Sequence, residues 1–166
     1  MEKQPELPAG KWPEIRRVKA AGNTGWRYFE HLVKTMHAEL GEGKTAEVLE
    51  AFMRGNARRF VVPAMKGFGI EGTDAWALAS YFKLATGDVI GYKAELSRPE
   101  PGVVAYKLFP PCLWFPDLDI PASFCKAMGC FEKEAAQIVN PDIEIKHVQL
   151  MTAGDPCCEI HFIEKR

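Results

Sequence analysis

All five cysteines of this 166-residue chain lie in its last third: Cys112, Cys125, Cys130, Cys157 and Cys158. Thiols clustered in this way point to metal binding or to thiol chemistry. The first 14 residues are polar and hold three prolines. They contain no apolar stretch of the kind a secretory signal needs, which predicts a cytoplasmic, reducing address. An odd cysteine count in such a compartment argues against a disulfide framework.

Periodicity sorts the five. Cys125 and Cys130 fall on one predicted helix, about 140° apart around its axis, and so face different sides. Cys157 and Cys158 are adjacent on a predicted strand and face opposite ways. Cys158 shares its face with Ile160 and Phe162 and points inward. Cys157 shares its face with Glu159 and His161. One inward thiol per segment leaves Cys112 from a loop, Cys125 from a helix and Cys158 from a strand. His147, in period with Ile143 and Ile145, is a fourth candidate. Three thiolates and an imidazole suit tetrahedral zinc, and three ligands plus water suit a catalytic ion. No C-x2-C pair occurs, and buried, inert thiols are the plain alternative. His31 and His37, six apart, do not match a helical metal pair and read as solvated. Asp117 and Asp119 are either proton-transfer groups or turn and cap residues.

Several elements must position these groups. Residues 1–20 read as an N-terminal arm and 21–166 as one domain. A first helix is expected from Asn23–Thr24 to Gly41, with Glu30 and Lys34 spaced to pair. A second runs from about Thr45 to Val62, with Gly55 and Asn56 interrupting its stripe and Pro63 ending or kinking it. A third, apolar nearly all round, fits Asp74–Ala85 with Thr73 as cap. The period then changes from 3.6 to 2. Ile90–Leu96 and Val104–Leu108 read as a hairpin around Arg98–Gly102. A fourth helix starts near Pro121 with the stripe Phe124, Met128, Phe131, Ala135 and Ile138. Ile143–Met151 and Cys157–Glu164 form a closing hairpin. Segregated helices and antiparallel hairpins make this an α+β fold. Trp76, Tyr92 and Tyr106 fall on faces between helices and sheet, where they would either line a small-ligand cavity or pack as core.

Composition narrows the function classes. With 21 Lys and Arg against 22 Asp and Glu, the net charge is -1, which argues against a nucleic-acid binder. Apolar residues at 47% and charged residues at 26% are ordinary globular composition. No apolar run approaches the ~20 residues of a membrane span. Phosphate-binding glycine loops and G-x-S-x-G elbows are absent. Exposed hairpin edges make a homodimer plausible.

The C-terminal third carries a resemblance. Cys112-Leu113-Trp114, Phe124-Cys125, Asn140-Pro141 and Gly154-Asp155-Pro156-Cys157-Cys158-Glu159 resemble the L-2-amino-thiazoline-4-carboxylic acid hydrolase family. They are also similar to the related 4-vinyl reductase-type small-molecule-binding domains. The resemblance implies helices over an antiparallel sheet around a small cavity. It implies either hydrolysis of a cyclic amidine or a structural zinc built from cysteines and a carboxylate. Cys158 matches the last of those ligands and Cys125 an earlier one. His147 and Leu150 stand where the carboxylate and another cysteine would be. Two functions are therefore expected as alternatives. In one, a metal on Cys112, Cys125, Cys158 and His147 activates water against a cyclic amidine, with Asp155 or Glu159 handling protons. In the other, the domain binds an apolar or aromatic ligand without chemistry, and any zinc is structural.

Overall fold

The computed structural model describes residues 13–165. The first 12 residues of the expected arm lie outside that range. The described part of the arm is helical: α1, Glu14–Gly67, begins directly after Pro13. Pro13 is compatible with a helix start because it lacks only an N–H that would have no partner there, and Glu14 favours the positive end of the helix. Thr24 is not a cap; its hydroxyl donates to the Ala20 carbonyl within the helix.

Gly41 breaks α1 at φ 76°, ψ 169°. Only glycine enters that region without strain. The chain doubles back there, so that the Phe29 and Phe52 rings stack at 5.9 Å although 23 residues separate them. An unbroken helix would hold them about 34 Å apart. The two arms of α1 therefore form a helical hairpin, with Val33 from one and Leu49 and Met53 from the other in one buried cluster. The second arm starts directly after Gly41, and within its first turn the Thr45 hydroxyl donates to the Gly41 carbonyl at 2.8 Å. Gly55 and Asn56 do not interrupt the second arm, and Pro63 lies inside it without ending it. Gly41→Ala is expected to lose about 1–3 kcal/mol, the cost of a side chain in that backbone region, in chemical denaturation.

Beyond the hairpin lies α2, Ala75–Phe82, capped by Asp74 rather than Thr73: the Asp74 carboxylate accepts from Ala77 N at 2.7 Å. It is buried as expected except at Trp76. A π-helical turn, π1, Lys83–Val89, extends it. Next come β1, Ala94–Glu100, and β2, Val103–Leu108, turning at Pro101–Gly102. The fourth predicted helix is two: α3, Ala122–Met128, and α4, Cys130–Val139, separated at Gly129. Finally β3, Ile143–Gln149, and β4, Cys158–Glu164, flank a short 3-10 turn, η1, Met151–Ala153.

The strands form one antiparallel sheet in the order β1-β2-β4-β3. The fold is α+β, with the helices on one face of the sheet. On that face Leu108, Tyr106 and Val104 of β2 stand opposite Cys158, Ile160 and Phe162 of β4. On the other, Lys107 Nζ pairs with Glu159 at 3.0 Å and His161 Nε2 meets Glu159 at 2.8 Å. Both edge strands carry an irregularity in register, β1 between Ser97 and Glu100 and β3 between His147 and Gln149.

Candidate functional site

The helix-facing side of the sheet, α2, π1 and the α1 hairpin enclose a cavity of about 360 Å³. That volume is within the range of small-molecule sites. Each wall follows from the local sequence. Trp26 and Phe29 come from the first arm of α1, and Phe52, Met53 and Phe60 from the second. Tyr81 and Phe82 project from α2, and Ala85 and Thr86 from π1. A π turn shifts side-chain phase by a residue, and such turns recur at functional sites. Here the Thr86 hydroxyl donates back to the Phe82 carbonyl at 2.7 Å and shares a short hydrogen bond with the Tyr106 hydroxyl from β2. Trp114 closes one end, its ring 4.5 Å from Trp26 and 5.3 Å from Phe29.

The sorting of the cysteines holds. Cys112, Cys125 and Cys158 all line this cavity, and so does His147. Cys130 and Cys157 do not. Cys130 is buried in the cluster that holds Val33, Leu49 and Met53, and the Cys157 thiol donates to Gln149 Oε1 at 3.1 Å. Burial pushes the Cys158 thiol up to about 12, and the Met151 N–H, 3.5 Å from its sulfur, offsets little of that. Burial also raises the Cys125 thiol, against a smaller pull from the Thr152 hydroxyl. Burial lowers His147, helped by the charge of Lys133, so the imidazole is neutral.

His147 sits so close to Gly129 that an added Cβ would lie 2.6 Å from the ring. The glycine between α3 and α4 thus seats the imidazole, and the β3 irregularity begins directly after it. The four donors share a cavity, yet among the described residues no group of three or more His, Cys, Asp or Glu side chains is placed to hold a metal ion.

The other predicted site residues are dispersed. Tyr106 lines the cavity, and burial raises its hydroxyl well above the ordinary value. Tyr92 packs on the core outside the cavity wall. Trp76 faces outward, with the Arg98 guanidinium 4.5 Å from its ring. Asp155 accepts from Leu150 N at 2.8 Å within the β3–β4 connection, and Glu159 is engaged on the far face of the sheet. Neither lines the cavity. Asp117 and Asp119 tether their loop to α1 through Arg27 at 3.7 Å and Lys34 at 2.9 Å. Lys34 also pairs with Glu30 as expected, at 3.0 Å. Burial raises the Glu30 carboxyl, but bonds from Arg27 and Lys34 outweigh that and keep it below its ordinary value. His31 is exposed, whereas His37 packs edge-on against Phe124 at 5.1 Å.

The carboxyl of the cavity was not among the predicted site residues. Glu132 of α4 lines the cavity, and its Oε2 is sealed from solvent without a hydrogen-bond partner. Burial pushes its carboxyl up to about 7, more than its own backbone N–H and the Lys133 charge offset. Its sequence signal was positional: Glu132 lies seven residues, two helical turns, from Cys125 and four from Met128, inside an apolar stripe.

Comparison with known proteins reaches the fold and stops there. No family model matches the chain, and no curated protein matches it. Among solved structures, it is similar to a trafficking protein particle complex subunit 3 from Naegleria fowleri, covalently bound to palmitic acid. That likeness has 12% identity and a TM-score of 0.61, and covers 89% of this chain and 97% of the other. It is also similar to an H-NOX domain from Shewanella oneidensis in the Fe(II)CO ligation state, at 16% identity and TM-score 0.50, covering 82% and 74%. Both likenesses bear out a small α+β fold. No helix among the described residues is long and apolar enough to cross a membrane.

Proposed function

We propose that the chain is a binding domain for a small hydrophobic or aromatic molecule. The observation that carries this reading is the cavity of about 360 Å³ walled by Trp26, Phe29, Phe52, Phe82, Trp114 and Phe131. Filling such a space with an apolar ligand removes water from aromatic surface, at about 25 cal/mol per Å². Both solved neighbours are described with a ligand, palmitic acid in one and iron with carbon monoxide in the other. The hydrolase reading draws less support, because its two proton-handling carboxylates, Asp155 and Glu159, lie off the cavity.

Propylbenzene is a simple probe. At 100 times its Kd it is expected to stabilise the chain by about 2.7 kcal/mol, read as a rise in Tm. Ala85→Trp, which fills the cavity from π1, is expected to abolish that rise while the variant still unfolds cooperatively. No stabilisation by propylbenzene or other apolar probes of that size would overturn the reading.

A further inference from the structure

Among the described residues, the cavity lining contains one carboxyl and no lysine or arginine. Its titratable members are few. Tyr81 faces Glu132 from α2, Tyr106 from β2 and Cys125 from α3, and each is influenced by the Glu132 charge. His147 from β3, Cys158 from β4 and Cys112 from the loop line the same space. The described side chains of the two arms of α1 contribute no titratable group to the wall, only Trp26, Phe29, Phe52, Met53, Asn56 and Phe60. The adjacent Lys133 lies outside the wall, and its charge offsets the effect of burial on Glu132 only in part. None of the wall groups is a cation at neutral pH, since burial keeps His147 neutral.

An ionised carboxylate that is half-buried, with one oxygen sealed against an aromatic wall and no described counter-ion, is disfavoured, and the partner that would relieve it is a cation. The surrounding rings favour the same charge, because aromatic faces attract cations. A hydroxyl would satisfy the Oε2 geometry but leave the charge uncompensated. The other unpartnered polar atom of the wall, Trp26 Nε1, is a neutral donor and costs less to leave unmet.

Building on the binding-domain reading, we propose that Glu132 is the polar anchor of the cavity and that the ligand class is a hydrophobic amine: an apolar body carrying one protonated nitrogen that pairs with the Glu132 carboxylate.

Three probes of one shape test this by calorimetry on the full chain: 2-phenylethylamine, 2-phenylethanol and propylbenzene. The parent chain at pH 8 is expected to bind the amine about tenfold or more tightly than propylbenzene, and Glu132→Gln is expected to bring that ratio to about one. Amine affinity is expected to rise between pH 5 and 8 in the parent and to stay flat in the variant. At pH 6 the amine is expected to displace about one proton from the parent only. An amine preference that survives Glu132→Gln, or an alcohol bound as tightly as the amine, overturns the proposal and leaves the cavity reading standing. Failure of all three probes to bind overturns both.

Discussion

At pH 8 the Glu132→Gln variant is expected to unfold about 10 °C above the parent chain, and at pH 4 the two are expected to unfold together. Substituting a residue in a packed domain usually destabilises it, so the sign is diagnostic. In the unfolded chain this carboxyl loses its proton near 4.5, whereas in the fold burial holds the proton to about 7. Between those values the folded chain binds more protons than the unfolded chain, and stability falls as pH rises. The loss amounts to about 3 kcal/mol once pH exceeds both values. Gln has no proton to lose and escapes it. Paired thermal scans from pH 4 to 8.5 read the difference directly. A constant gap between the two curves would show that Glu132 is solvated in the fold. Groups common to both chains, His147 among them, cancel in the comparison.

The second large effect reverses sign with its background. Gly129→Ala is expected to destabilise the parent by about 1–3 kcal/mol, because the new methyl would meet the His147 ring at 2.6 Å and force it aside. In a His147→Ala background the same change is expected to stabilise by about 0.4–1 kcal/mol. Gly129 has φ -63°, which alanine adopts readily, and alanine reduces the freedom of the unfolded chain. Urea denaturation of the four chains gives the coupling between the two positions. Equal losses in both backgrounds would remove the close approach of glycine and imidazole from the account.

The cysteine geometry was legible in the sequence because it rests on period alone. Adjacent strand residues must diverge, so Cys158 reaches the cavity and Cys157 does not. Glu132 was missed for a related reason. A glutamate on a helix is ordinarily read as solvated, and its place within the stripe Cys125, Met128 and Ala135 counts only once a cavity is known to face that stripe. Gly41 read correctly as a break, but whether a break bends the chain or merely pauses it depends on φ and ψ, which sequence does not specify. The gap expected at Gly55 and Asn56 did not appear, since packing of Met53 and Ala57 into the core outweighs local propensity. Trp76 was assigned inward with the rest of α2. Its outward neighbour one turn on, Ser80, was the available hint. The close approach at Gly129 comes from β3, at His147, beyond any local window.

The irregularities in the two outer strands also bear on how the sheet ends. A regular outer strand presents a row of unpaired N–H and C=O groups that can template a further strand from another chain. Here β1 is bulged near Pro99, which has no N–H to offer, and carries Glu95, Arg98 and Glu100. On the opposite side β3 carries exposed Glu144 and Lys146 and loses its register after His147. The same displacement that accompanies the imidazole in the cavity also spoils the outer rim as a template. Accretion of strands is thus discouraged on both sides, and on the β3 side the feature that discourages it adjoins a cavity residue.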